Sequence, residues 1–181
     1  MRGEPPGPPL ALAAEPGSKE RQIPSGEKGK ILIIGLGNPG RGDDGIGPGL
    51  GARLEEDFKT GTEAGCDLAV EVRYQLNVED ALAFSRFDRV VVVDASRVAE
   101  PPFEFHPLEP QARVSFSTHA LSPQAVLAWC RELYGRSPQV YALAVRGTAW
   151  ELGEGLSPEA EKNLGLARKF LAGQIQRWIA D

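Results

Sequence analysis

Four side chains in this sequence have the chemistry and the positions to hold a divalent metal ion. Asp43 and Asp44 are adjacent and follow a short apolar run, Asp94 ends a second apolar run, and His119 precedes a predicted helix. Two carboxylates and an imidazole suit a borderline divalent metal, and three protein ligands leave coordination positions open. The sequence therefore predicts a metal site built from Asp94, His119 and one of the two adjacent aspartates.

Each of these side chains also has a purely structural interpretation. An aspartate ahead of a helix often serves only as its N-cap, and Asp94 could bond to the residues that follow it. His119 could be a hydrogen-bonded structural residue, since a protein commonly holds a single histidine in that way. The second histidine, His106, lies in a predicted edge strand and is not expected in the site.

The elements that must position these residues are predicted by apolar patterning. Strands are predicted at 31–34, 68–74, 89–94, 103–107 and 139–145, and helices at 46–58, at 77–84 with Asn77 as its cap, at 122–134 and from 157 onwards. Strands that alternate with helices predict an α/β fold, in which a mostly parallel sheet is covered on both faces. The carboxyl ends of parallel strands meet at one edge, which is where such folds bind ligands. Asp44, Asp94 and His119 can all reach that edge.

The loop after the first strand carries a G-x-G-x-x-G pattern at residues 35–40, which is typical of dinucleotide sites. Pro39 and the next three residues delay the helix, so its N-terminus would not meet a pyrophosphate. Asp43 and Asp44 would place two negative charges where phosphates bind. No acidic residue ends the second strand to receive a ribose. We therefore expect no nucleotide cofactor.

Composition narrows the classes further. The net charge is −5 and the isoelectric point is near 5.2, which disfavours a nucleic-acid surface. Cys66 and Cys130 are far apart, and we interpret both as buried apolar residues of a protein in the reducing cytoplasm. No apolar run reaches the length of a membrane span. Residues 1–29 are rich in proline and glycine and predict a disordered leader, and residues 30–181 predict a single α/β domain.

Four segments together resemble the hydrogenase maturation endopeptidases in order and spacing. They are G-L-G-N-P-G-R-G-D-D-G-I-G-P (35–48), V-V-V-V-D-A (90–95), F-S-T-H-A-L-S (116–122) and G-E-G-L-S-P (153–158). Members of that family are nickel-dependent proteases that trim the C-terminal extension of the [NiFe]-hydrogenase large subunit. The resemblance covers about residues 30 to 175.

The resemblance implies a three-layer sandwich of the phosphorylase/hydrolase-like kind, with a five-stranded sheet flanked by helices. It implies that Asp44, Asp94 and His119 are both the metal ligands and the catalytic residues. The metal would be nickel already bound in the partner, the large-subunit precursor. Neither nucleic acid nor membrane is expected as a partner. Of the adjacent aspartates, Asp43 is then expected to cap the following helix.

Two alternatives stay open from the sequence. G-L-G-N-P-G at 35–40 also resembles the start of peptidyl-tRNA hydrolases, but the catalytic histidine segment of that family is replaced here by R-G-D-D at 41–44. A non-catalytic nickel-binding maturation factor could use the same three ligands. The sequence carries no G-x-S-x-G motif, and no Cys–His pairing can be placed near the site, so it does not support a covalent nucleophile.

Overall fold

The computed structural model describes residues 29–59, 67–111, 121–153 and 155–180. Its strands are β1 (Ile31–Leu36), β2 (Leu68–Arg73), β3 (Arg89–Ser96), β4 (Phe103–Leu108) and β5 (Gln139–Arg146). Its helices are α1 (Ile46–Lys59), α2 (Asp80–Ser85), α3 (Pro123–Tyr134) and α4 (Pro158–Ala180), and a 3₁₀ turn at Gly42–Gly45 precedes α1. The predicted alternation of strands and helices is confirmed.

The strands form one five-stranded sheet in the order β2-β1-β3-β5-β4. The first four strands in that order pair in parallel, and β4 pairs antiparallel with β5 at the edge. This confirms the predicted mostly parallel sheet. The register pairs Gly35 of β1 with Val93 of β3. Asp94 therefore stands one residue beyond that pair, beside the start of the loop that carries Asp44.

Alternate residues of each central strand face opposite sides of the sheet, as the pleat requires. On one face the strands pack against α1 and α4, through a core of Ile31, Ile33, Val91, Val93, Leu50, Leu54, Leu164 and Leu171. On the other face they pack against α2 and α3, through Leu32, Ile34, Val90, Val92, Phe84, Val126 and Leu127. Both faces of β1 and β3 are buried, which explains why these strands read as unbroken apolar runs.

Helix starts follow the sequence in two cases and depart from it in one. Ser122 and Ser157 cap α3 and α4, and each hydroxyl accepts a hydrogen bond from the N–H three residues on, at 3.2 Å. The prediction that Asn77 caps α2 is wrong, because the helix begins at Asp80 and no side chain caps it. Instead the Asp80 carboxylate accepts the Asn77 N–H at 2.7 Å, so the acid reaches back to the turn.

Two further expectations concern residues inside and outside the described ranges. Cys130 is fully buried, and burial raises the pKa of its thiol to about 11, as expected of a small apolar residue in the core. Cys66 and residues 1–28 of the predicted leader lie outside the described residues. Among the helices that are described, none is both long and apolar enough to cross a membrane.

Candidate functional site

The loop between β1 and α1 is held close to the ends of β1 and β3 by glycines. A Cβ on Gly47 would lie 2.1 Å from the Leu36 carbonyl oxygen and 2.8 Å from that of Val93. Gly37 has φ of +131°, and a Cβ there would lie 1.9 Å from the carbonyl oxygen of Asp44. Only glycine allows these approaches. The glycine-rich loop therefore serves backbone packing at the sheet edge.

Asp44 lies in the 3₁₀ turn of this loop and is half-buried. Its Oδ2 accepts the backbone N–H of Asn38 at 3.0 Å. Its Oδ1 accepts no hydrogen bond from any residue that the structure describes. Asp44 therefore has one oxygen held by the protein and one available to a ligand.

Asp94 follows the buried part of β3 and is exposed. Its Oδ1 accepts the N–H of Ala95 at 2.8 Å. Although the residue keeps much of its surface open, protein atoms surround the carboxylate, and this desolvation raises its pKa to about 6. The Ala95 N–H lowers the pKa, and the negative charge of Asp44 raises it. Because the charge of Asp44 acts on Asp94, the two carboxylates are near neighbours at the sheet edge.

His119 lies in the segment 112–120, outside the described residues, so its place in the site stays a prediction. The first described residue after it, Leu121, donates its N–H to the Leu76 carbonyl at 2.9 Å. No three His, Cys, Asp or Glu residues within the described ranges are grouped so as to hold a metal. The described part of the chain thus supplies two of the three predicted ligands, Asp44 and Asp94.

Asp43 has a different role from the one predicted. Its side chain is completely buried and does not cap the following turn or α1. Its Oδ2 accepts the N–H groups of Thr148 at 2.6 Å and Ala149 at 2.8 Å, and its Oδ1 accepts the N–H of Ser157 at 2.7 Å. The Ser157 hydroxyl donates to Oδ2 at 2.8 Å. The helix-cap prediction for Asp43 is therefore wrong, since this carboxylate joins three distant segments.

The electrostatics of Asp43 follow from those bonds. Burial alone would raise the pKa of Asp43, but the N–H groups of Ser157, Ala149 and Thr148 and the Ser157 hydroxyl together hold it below its usual value of 3.8. Four donors on one ionised carboxylate stabilise its charge in the interior. Asp43 is therefore a stable structural anion, whereas Asp94 at the same edge is an anion under strain.

The rim of this edge exposes apolar side chains. Val98, which follows β3, is 84% exposed, and Leu152, which follows β5, is 86% exposed. The Arg97 guanidinium lies 4.3 Å from the centre of the Trp150 ring, a cation–π stack that joins the same two loops. Exposed apolar residues beside paired acids fit a site that receives another protein chain.

We expect Asp94→Asn to raise the melting temperature of the metal-free protein at pH 7.5. The folded pKa of about 6 lies above the ordinary value of 3.8, so ionised Asp94 destabilises the fold above pH 6. Asparagine removes that charge but still accepts the Ala95 N–H. The gain should shrink as the pH falls through 6 and vanish near 4, where both states bind the proton. Thermal unfolding followed by circular dichroism from pH 4 to 8 measures it, and a pH-independent gain would contradict this origin.

Several solved structures share this fold. Over 84% of this chain and 95% of the other, the chain superposes on a [NiFe] hydrogenase maturation protease, HycI, from Thermococcus kodakarensis KOD1, with a TM-score of 0.63 and 24% identity. Against the hydrogenase maturating endopeptidase HybD from E. coli the TM-score is 0.59 with 20% identity, over 82% and 93% of the two chains. For a hydrogenase 2 maturation peptidase from Thaumarchaeota archaeon SCGC_AB-539-E09 the values are 0.58 and 19%, over 81% and 98%.

No protein-family model matches the sequence, and a search of curated proteins finds no match. At these identities the structural likeness shows the fold. It confirms the five-stranded α/β sandwich that the sequence resemblance implies, and the structures that share it carry the names of that same family.

Proposed function

We propose that this protein is a hydrogenase maturation endopeptidase, which removes the C-terminal extension of a [NiFe]-hydrogenase large-subunit precursor after nickel has been inserted. The observation that carries the proposal is the approach of Asp44 and Asp94 at the carboxyl edge of a sheet shared with proteins of that name. The motif that holds His119 adds the third expected ligand.

In this proposal nickel arrives as part of the substrate. Asp44, Asp94 and His119 bind the ion on the sides that the precursor leaves open, while substrate cysteines provide its other ligands. The free Oδ1 of Asp44 and the exposed carboxylate of Asp94 suit this task. The ion can act as a recognition handle, and as a Lewis acid it can also polarise the scissile carbonyl and activate a water. The three side chains would fix the scissile bond beside the ion in either role.

The rest of the proposal follows from the same edge. Val98, Leu152 and the Arg97–Trp150 stack would contact the precursor around the cut site. The location is the cytoplasm, as predicted from the two cysteines, and the folded unit is the domain 30–181. A non-catalytic nickel-binding factor would use the same ligands, and only the appearance of a shortened precursor separates the two functions.

The metal assignment is tested without any substrate. We expect the purified protein to bind Ni²⁺ weakly, because three protein ligands leave several positions to water. Asp94→Ala and His119→Ala should each reduce the affinity at least about tenfold, since each removes one ligand. Isothermal titration calorimetry measures this, with circular dichroism as a check on folding. The exposed Glu132→Gln serves as the control with an altered surface charge. Equal affinity in either ligand variant would overturn the assignment.

The activity is tested with a precursor loaded with nickel. Incubation with the protein should shorten the large subunit by its C-terminal extension, as read by gel mobility and the mass of the product. A wild-type protein that binds the loaded precursor but never shortens it would instead support the non-catalytic nickel-binding factor.

A further inference from the structure

The buried carboxylate of Asp43 ties the loop after β1 to two segments more than one hundred residues away. It accepts hydrogen bonds from Thr148 and Ala149, which follow β5, and from Ser157, which caps α4. We call these four residues the Asp43 cluster. A fully buried carboxylate whose donors come from three separate segments fixes those segments relative to one another.

Backbone hydrogen bonds align the same segments. The N–H of Asp43 donates to the Ala149 carbonyl at 2.8 Å, and the N–H of Gly42 donates to the Gly153 carbonyl at 3.0 Å. In return the N–H of Gly153 donates to the Gly40 carbonyl at 3.1 Å. The loop after β1 therefore lies along the loop after β5 like an added pair of short strands.

The cluster also connects to the strand that carries Asp94. Gly147 donates its N–H to the carbonyl of Ser96, two residues after Asp94, at 3.0 Å. A Cβ on Gly147 would lie 2.9 Å from the Cβ of Asp43, so the Asp43 side chain rests directly on this backbone. The position of Asp43 is thus set against the ends of both β5 and β3.

Asp44 is the next residue, and few contacts of its own hold its side chain. Its carboxylate accepts one hydrogen bond from the described residues, from the N–H of Asn38 at 3.0 Å. Its carbonyl oxygen packs against Gly37. Because Asp43 and Asp44 are consecutive, the bonds that fix the Cα and carbonyl of Asp43 also fix where the side chain of Asp44 begins.

We propose that Asp43 is a positioning residue for the site: through its bonds to Thr148, Ala149 and Ser157 it sets the backbone at Asp44 and thereby aims the Asp44 carboxylate beside Asp94. The role of the aimed carboxylate as a nickel ligand rests on the function proposed above. The geometric part stands on the cluster itself.

Asp43→Asn breaks the cluster whichever way the amide is turned. If the amide NH₂ replaces Oδ1 it faces the N–H of Ser157, and if it replaces Oδ2 it faces the N–H groups of Thr148 and Ala149. One donor–donor contact therefore remains in either orientation. The size of the side chain is unchanged, so the variant tests the hydrogen bonds alone.

The readout is the backbone amide of Asn38, which reports directly on the Asp44 carboxylate. In ¹⁵N-labelled, metal-free protein, Asp44→Ala gives the reference spectrum without that bond. We expect Asp43→Asn to move the Asn38 resonance towards this reference and to speed its hydrogen exchange at least about tenfold. Leu171→Ala, a buried change in α4 remote from the loop, controls for lost global stability, and its Asn38 amide should keep the wild-type shift. A folded Asp43→Asn with a wild-type Asn38 amide overturns the proposal.

If Asp43→Asn does not fold, a milder pair decides. Ser157→Ala and Ser122→Ala each remove the hydroxyl cap of a Ser-Pro helix start, but only Ser157 also donates to Asp43. The proposal requires the Asn38 amide to shift in Ser157→Ala and to stay in Ser122→Ala. Equal behaviour of the two variants contradicts it.

Nickel binding then links the cluster to the site. Folded Asp43→Asn, or Ser157→Ala in its place, should bind Ni²⁺ at least about tenfold more weakly than Leu171→Ala of matched stability. Wild-type affinity despite a displaced Asn38 amide would mean that Asp44 is not a nickel ligand, which overturns the proposed function and leaves the positioning role intact. A wild-type Asn38 amide overturns the positioning role alone.

Discussion

Asp44→Asn is expected to stop the trimming of a nickel-loaded precursor, with kcat/KM reduced at least about 100-fold, which corresponds to about 2.7 kcal/mol. Asparagine keeps the size of the side chain and can still accept the Asn38 N–H through its carbonyl oxygen. It loses the negative charge that would bind the ion through the free oxygen. The shortening of the large subunit, followed on gels over time, measures the effect.

Two controls make this result specific to the metal. Glu132→Gln removes an exposed carboxylate on α3 and should trim at the wild-type rate. A precursor without nickel should resist even the wild-type protein, because the ion that Asp44 and Asp94 would bind is missing. Equal activity of Asp44→Asn and wild type, or rapid cleavage of the nickel-free precursor, would contradict the mechanism.

The sheet and its functional edge could be predicted because their causes are local in the sequence. Apolar runs such as 31–34 and 89–94 must be buried on both faces, and this requires parallel strands covered by helices. Once those strands are parallel, the residues at their carboxyl ends, Asp44 and Asp94, come to one edge without further information. The short polar strand β4 was recognisable as an edge strand because exposed and half-buried residues alternate along it.

The role of Asp43 could not be predicted because its causes are distant. Its partners Thr148 and Ser157 lie 105 and 114 residues away in the chain. Two adjacent aspartates look equivalent as letters, and a loop position ahead of a helix suggests a cap. The structure separates them by burial: Asp43 is enclosed by donors, whereas Asp44 keeps an open oxygen.

Asp80 shows the same difficulty on a shorter scale. Asn77 has the residue type of an N-cap, but its own N–H donates to the Asp80 carboxylate, which lies three residues later. Both residues favour a helix start, and the sequence does not reveal which of them accepts. The direction of a polar contact depends on the exact path of the turn.

Gly47→Ala is expected to destabilise the fold by about 3 kcal/mol or more, since its methyl group would overlap backbone that cannot move aside. The added Cβ would lie 2.1 Å from the Leu36 carbonyl oxygen and 2.8 Å from the Val93 carbonyl oxygen. Both atoms belong to the central strands, so relief requires α1 to move away from the sheet. That movement would also displace the turn that holds Asp44. Urea unfolding measures the loss.

Gly165→Ala in α4 is the matched substitution, because a Cβ there meets nothing within 4 Å. It should stabilise the protein by about 0.4 to 1 kcal/mol, as alanine restricts the unfolded chain and favours the helix. The same chemical change thus has opposite signs at two helical positions, and the backbone contact at the end of β1 decides the difference. A Gly47→Ala protein as stable as Gly165→Ala would mean that α1 can move off the strand ends at little cost, and the rigid placement of Asp44 beside Asp94 would lose its basis.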